Sequence, residues 1–291
     1  MRFGIGDAVV DVIVDIDRFA LPAGFWPECD LGALLPYRRL LEPDHVDFAA
    51  GTVLLGMQAL VVRVAGLTLL VDSCIGENKR RPRHPLWHGR AGSGFLDRLA
   101  AAGVAPESVD LVFCTHLHAD HVGWNTRLLD GRWVPGFPRA RYLVGRRELA
   151  QCQAAAAEDP ELNHGAFADS VQPLLEAGLV DAVEDGHELA PGLTLRPLPG
   201  HTAGQMGLWL ERGGARAVFC GDAIHTPAQV LRPEWSSRLC TDPAAAVATR
   251  RDLLNSAAED GTVLVPAHFR RCGCTRVRRQ GSGFLPVFGA G

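Results

Sequence analysis

Apolar residues in this chain fall into short runs of two spacings. "AVVDVIVDI" (8–16) alternates apolar and polar positions, as a strand with one buried face does. "TVLLGMQALVVRV" (52–64) and "LTLLVDS" (67–73) are nearly continuous apolar runs, separated only at Ala65-Gly66. Gln58, Arg63 and Gly66 interrupt this most apolar region, so it reads as two strands joined by a turn and not as a membrane span. "FLDRLAAAGV" (95–104) changes spacing and gathers Phe95, Leu96, Leu99 and Ala100 on one side of a helix. The strands "DLVFCT" (110–115) and "ARYLVG" (140–145) follow, then a helix at "RRELAQCQAAAAED" (146–159). The later half repeats the alternation, with strands at "GLTLRPLPG", "ARAVFCGDA" and "TVLVPAHF". Between the last two a helix runs from Pro243 to about Glu259, capped by Thr241 or Asp242. Helices alternating with strands in both halves predict a layered α/β domain, and no linker divides residues 1–291.

Composition narrows the function classes. The chain has 291 residues, 47% of them apolar and 21% charged, the balance of a globular protein with a core. A net charge of -4 advertises no basic face, so nucleic acid is not expected as a partner. The late cluster "FRRCGCTRVRR" (269–279) reads as a solvated strand or tail. The eight cysteines include no C-x-x-C pair, which argues against a structural zinc knuckle and for buried or free thiols. The first residues lack the apolar block of a secretion signal, and no membrane segment is seen, so a cytoplasmic location is expected.

The chemistry concentrates in "CTHLHADHVGWN" (114–125), directly after an apolar strand. His116 and His118 stand two apart, so in extended chain both imidazoles point the same way and can meet one ion. Asp120 and His121 follow where the chain can turn into a helix, and they could face a second ion. Neutral imidazole and carboxylate suit Zn²⁺, at Zn–N distances of about 2.0–2.1 Å. Four ligand residues cannot close a two-metal site. Three further candidates each come directly after an apolar strand: His201 in "LPGHTAGQMG", Asp222 in "FCGDAIHT" and His268 in "LVPAHF". In α/β sheets, loops that follow strands gather at one edge.

His116-x-His118-x-Asp120-His121, Gly200-His201-Thr202-x-Gly204, Gly221-Asp222 and the late His268 together resemble the metallo-β-lactamase superfamily over roughly residues 40 to 270. The resemblance implies a four-layer αββα sandwich as a single domain, with the N-terminal strand and C-terminal tail packed on the core. It implies that His116, His118 and His201 hold one metal, that Asp120, His121 and His268 hold the second, and that Asp222 bridges them. Asp72, ending "LLVD", matches the family's early strand-end aspartate and is read as support for a ligand imidazole. The cofactors implied are two divalent ions, Zn²⁺ first, with Mn, Fe and Co also suited to His/Asp sites. Two such ions share a hydroxide at neutral pH, and Asp120 then serves as the catalytic carboxylate that assists proton transfer.

Within the superfamily, the "GDxxHxxAQ" pattern around His225 resembles the branch of methyl parathion hydrolase, arylesterases and lactonases. Quorum-quenching lactonases carry a tyrosine three residues after the bridging aspartate; here it is His225, expected to donate a hydrogen bond to a substrate oxygen. Trp124, Asn125, Trp87 and Phe167 are the candidate pocket walls. The expected reaction is cleavage of an ester, lactone or phosphotriester in a small, moderately apolar molecule. Alternatives in the same fold are an oxidoreductase resembling persulfide dioxygenases and, less favoured, a β-lactam hydrolase. The N-terminal strand and the tail "GFLPVFGAG" offer surfaces for a homodimer.

Overall fold

A computed structural model describes residues 1–289; the last two residues of the tail, 290 and 291, lie outside the described residues. The chain divides into two compact units, each built around sheet and helix.

The first unit comprises Met1–Asp15 and Met57–His187. Its N-terminal hairpin pairs Arg2 with Asp11 and Ile5 with Ala8. Leu67–Val71 folds back antiparallel on Thr52–Val64 around the Ala65-Gly66 turn, with Leu60 opposite Val71. From there the pairing is parallel: Leu67–Val71 with Leu111–Cys114, that strand with Arg141–Gly145, and that one with Val180–Val183. Parallel strands need crossovers and are covered on both faces, which is why "LVFC" and "RYLVG" are apolar at consecutive positions. The helices Phe95–Ala101 and Arg146–Glu158 lie in those crossovers, as their spacing predicts. Parallel register also sets Asp72 beside Thr115, since Asp72 N donates to Phe113 O at 2.9 Å.

The second unit comprises Ile16–Gly56 and the chain from Glu188 onward. Leu193–Pro197, Met206–Arg212 and Ala215–Gly221 form an antiparallel meander, and Ala215–Gly221 pairs parallel with Val263–Pro266. Leu193–Pro197, Ala215–Gly221 and Val263–Pro266 therefore run in one direction, and their C-terminal ends share an edge. The crossover to the last strand is the helix Pro243–Asp260, where Asp242 accepts a hydrogen bond from Ala245 N at 3.0 Å as N-cap. Its inward stripe of Ala246, Arg250, Leu253, Leu254 and Ala257 follows the helical period. Leu253 and Leu254 pack with Val218, Ile224, Leu264 and Phe269, and the C-terminal hairpin adds Val277 and Phe284 to the same core.

The α/β expectation is borne out: several sheets are flanked by helices, and every strand named from the sequence is present. Elements the apolar pattern does not reveal include the strand Met206–Arg212 and the hairpin Thr126–Leu129/Arg132–Pro135. Gly281 and Ser282 form the turn of the hairpin Arg276–Gln280/Gly283–Val287. Among the described residues, no helix is long and apolar enough to cross a membrane.

Candidate metal centre

In the first unit the strand Leu111–Cys114 ends just before the motif. His118 keeps extended geometry (φ -67°, ψ 153°), and the helix Ala119–Val122 begins immediately after it. This transition from extended to helical chain brings the ligand types together. His116 Nε2 lies 3.0 Å from His118 Nδ1, and the His116 and His121 ring centroids are 4.1 Å apart. His116 and His121 are buried.

Asp72 organises this set. It sits in the left-handed region (φ 56°), where few residues other than glycine, asparagine and aspartate settle. Its Oδ1 accepts from Thr115 N at 2.8 Å, and its Oδ2 accepts from Thr115 Oγ1 at 2.9 Å and from His121 Nδ1 at 2.8 Å. With the His121 proton held on Nδ1, its Nε2 keeps a lone pair, the form in which an imidazole ligates a metal. Ser73 N donates to His121 O at 2.6 Å, which fixes the backbone as well as the ring.

In the second unit Asp222 stands among three imidazoles. Its Oδ1 is 3.1 Å from His268 Nε2, while its Oδ2 is 3.3 Å from His201 Nε2 and 3.2 Å from His225 Nε2. One carboxylate thus turns a different oxygen to each side, the disposition a bridging ligand needs. His268 Nδ1 donates to Gly56 O at 2.8 Å, and Gly56 N donates to His268 O at 2.9 Å, so ring and backbone are both fixed on one residue. His201 Nδ1 faces Cys240 Sγ at 3.8 Å, and Thr241 N donates to His201 O at 2.9 Å. Gly200, preceding His201, has φ 131°, and a Cβ there would stand 2.2 Å from Ala246 N. Only glycine allows the helix Pro243–Asp260 to approach this turn.

These residues fit divalent ions. His201, Asp222 and His225 offer ligand atoms that all lie within 4.8 Å of one another. Their residues are buried, and buried acceptors facing one another are stabilised by a cation in their midst.

The other expected site residues are placed as follows. Trp124 is buried, its ring stacked on Phe95 at 5.0 Å. Asn125 accepts from Ser73 Oγ at 2.8 Å and donates to Cys114 Sγ at 3.3 Å, so its side chain joins adjacent strand ends. Trp87 stacks on His84 at 4.0 Å and meets His164 edge-on at 5.5 Å. Phe167 is half-buried. His225 stacks parallel to His268 at 6.0 Å and is buried to 3% exposure, against the ligands of its own unit and not in an open groove. Burial pushes the Cys114 thiol up to about 12 and raises Cys220 further, which keeps both protonated and inert as strand packing. Three contributors carry no sequence signal: Thr115, Gly56 and Asn163, whose side chain bonds to the motif backbone.

Comparison with known proteins agrees with this geometry. The metallo-beta-lactamase superfamily matches residues 55–268. A ribonuclease Z of Mycolicibacterium paratuberculosis is 30% identical over 144 residues, 46% of this chain and 51% of its own length. The chain spans about half the length of the first curated relatives it matches. Among solved structures, the hydrolase AbOPH of the beta lactamase superfamily superposes with a TM-score of 0.81 at 23% identity, covering 100% of this chain and 97% of the other. The dizinc quorum-quenching lactonase AidC, in complex with a homoserine product, reaches 0.79 at 16% identity, covering 100% and 97%. At such identities the likeness is one of fold. Since the family match covers most of the sequence and contains every strand-end histidine and aspartate described above, the chain belongs to the metallo-beta-lactamase superfamily.

Proposed function

We propose that this protein is a binuclear metal-dependent hydrolase of small, moderately apolar esters, lactones or phosphotriesters. The observation that carries the reading is Asp222, whose two oxygens face separate buried imidazoles at 3.1 and 3.3 Å. We assign His116, His118 and His201 to one ion and Asp120, His121 and His268 to the other, with Asp222 shared. Zinc is the first choice for a set of imidazoles and carboxylates. When bound, the ions polarise the substrate's carbonyl or phosphoryl oxygen and lower the pKa of water from about 15.7 toward about 7. The chain's own residues do the rest. Asp72 holds His121 in one tautomer, and Gly56 does the same for His268. Asp120, less buried than its neighbours, holds and moves the proton that passes to the leaving group. His225, buried with Nε2 3.2 Å from Asp222 Oδ2, stands beside the proposed bridging carboxylate as the donor to a substrate oxygen.

The substrate class follows from the loops. Trp87, with Leu86 exposed beside it, and Leu162, exposed beside His164, give the first unit an apolar lip. Phe167 follows on the same segment, whereas Trp124 and Asn125 are engaged in packing. Three of the four arginines in the loop 79–90 are paired, Arg80 with Glu161, Arg81 with Asp169 and Arg90 with Asp15, so the apolar lip suits an acyl or aryl ester better than a polyanion, and the net charge of -4 argues against nucleic acid. The likenesses to AbOPH and to the lactonase AidC agree with this class. We further propose that the two compact units act as one catalytic domain. A cytoplasmic setting is supported by the eight cysteines, all of them free thiols. A homodimer through the N-terminal strand remains part of the proposal.

The test is a panel of p-nitrophenyl esters, lactones and a phosphotriester, assayed on protein reconstituted with Zn²⁺, Mn²⁺ or Co²⁺. We expect metal-dependent turnover, and a fall in kcat of about 10²–10⁴-fold for Asp120→Asn. Full activity in that variant, or in chelator-treated protein, would refute the mechanism. Iron-dependent oxygen uptake without hydrolysis would replace it with the oxidoreductase reading.

A further inference from the structure

The motif backbone has left its sheet by His116, so its peptide groups need partners elsewhere. Leu117 N donates to Glu148 Oε1 at 3.0 Å. Leu117 O accepts from Asn163 Nδ2 at 2.7 Å, and Ala119 N donates to Asn163 Oδ1 at 3.0 Å. Those two contacts lie on the peptide planes before and after His118. One carboxamide therefore fixes both the φ and the ψ of His118, and it holds the first amide of the short helix that carries Asp120.

The segment supplying this carboxamide is itself unusual. Asn163 (φ 50°, ψ 39°) and His164 (φ 59°, ψ 22°) are consecutive non-glycine residues in the left-handed region. Asparagine tolerates that region, histidine less so, and a pair of them persists only when its surroundings hold it. The holding group is Arg81. Its Nη1 donates to His164 O at 3.0 Å, while its guanidinium forms a two-pronged pair with Asp169 at 2.6 and 2.8 Å. Arg81 is fully buried, so this anchor is shielded from solvent. The elbow at 163–164 is thus braced on one side by Arg81 and spends its amide on the other.

We infer that Asn163 is a positioning residue for the metal centre, setting the backbone of His118 and Asp120 so that both side chains meet their ions. The inference rests on the metal-centre reading above. Both ends of the carboxamide are engaged on the two peptide groups that flank His118. Glycine accepts the φ and ψ of position 163 without strain, so Asn163→Gly removes the clamp while leaving the backbone conformation available. Asn163→Asp keeps size and the acceptor for Ala119 N, but an ionised carboxylate has no proton for Leu117 O.

The experiment measures Zn²⁺ binding to apo-protein by chelator competition, together with the visible spectrum of the Co²⁺-loaded form, for wild type and both variants. We expect wild type to bind two ions. In Asn163→Gly, both sites should weaken, by about 10–100-fold, the scale found when groups supporting a metal ligand are removed, because His118 is assigned to one ion and Asp120 to the other. The Co²⁺ bands should shift as the ligand field changes, and kcat should fall with KM little altered. If the glycine variant fails to fold, the aspartate variant decides, with the same spectral change expected. Two sites of wild-type affinity and an unchanged Co²⁺ spectrum in both variants would overturn the inference alone. Wild-type protein that binds no metal would sink it together with the proposed function.

Discussion

Asp72 shows how much one side chain does here. In a left-handed turn at a strand end it accepts from Thr115 N, Thr115 Oγ1 and His121 Nδ1. Asn fits the same backbone, but its amide replaces a carboxylate oxygen by a donor, which then faces a donor. Asp72→Asn should therefore cost about 1–3 kcal/mol of stability in the apo-protein, the penalty of a buried donor left unmatched. It should also weaken metal binding by about 10–100-fold. Urea unfolding of the apo-protein and chelator competition read the two effects separately, and unchanged metal affinity would mean that Asp72 is a turn residue only. The sequence made Asp72 visible because it ends a strand at a position the family pattern marks, and the H-x-H-x-D-H stretch because its geometry is local. Asn163 could not be found that way. It lies 44 residues from Ala119, and only the fold joins them. His225 was visible as a residue, but its role depends on burial and on the nitrogen it turns to Asp222, neither of which is written in the chain.

At the level of elements, strands buried on both faces and amphipathic helices were legible, because hydrophobic period reports burial directly. The hairpin Thr126–Leu129/Arg132–Pro135 was not, since its strands are largely exposed and its sequence reads as punctuation. Two junctions between elements carry predictions. Gly200 lies against the N-terminal turn of the helix Pro243–Asp260, and its φ of 131° excludes a side chain even before the 2.2 Å approach to Ala246 N is counted. Gly200→Ala should push turn and helix apart and cost more than about 3 kcal/mol, beyond the range of ordinary point substitutions. Soluble protein with a wild-type melting temperature would contradict this.

The second junction is the Lys79 anchor of the loop that carries Trp87. Lys79 is fully buried, donating to Thr126 Oγ1 at 2.6 Å and to Asp169 O at 3.0 Å beneath the Trp133 ring. Burial lowers its pKa to about 7, outweighing the pull of Asp169, whose carboxylate is taken up by Arg81. The unfolded chain keeps an ordinary lysine near about 10.4, so from about pH 7 to about 10 it holds the extra proton. Stability contributed at this site therefore rises with pH across that window, by at most about 1.4 kcal/mol per unit. Lys79→Met should abolish that rise. Urea unfolding at pH 7, 8 and 9 compares the slopes, and parallel slopes for the two proteins would show that the ammonium is not what titrates.

For the whole molecule the decisive quantity is how metal binding feeds into folding. The proposed ligands are His116, His118, Asp120, His121, His201, Asp222 and His268, residues spread over more than half of the chain. An ion that binds only the folded chain adds its binding free energy to the stability of the fold. At a free Zn²⁺ concentration 100 times the dissociation constant, one site adds about 2.7 kcal/mol. For a chain of this size that corresponds to a rise of about 4 °C in melting temperature. Calorimetry of apo- and Zn²⁺-loaded protein should thus give a transition that moves upward with metal and returns on chelation. Asp222→Asn should flatten the response most, because it alone is assigned to both ions. A melting temperature that metal moves in wild type and in Asp222→Asn alike would contradict the assignment of Asp222. His201 and His225, which converge with Asp222 within the second unit, would then be the residues to substitute next.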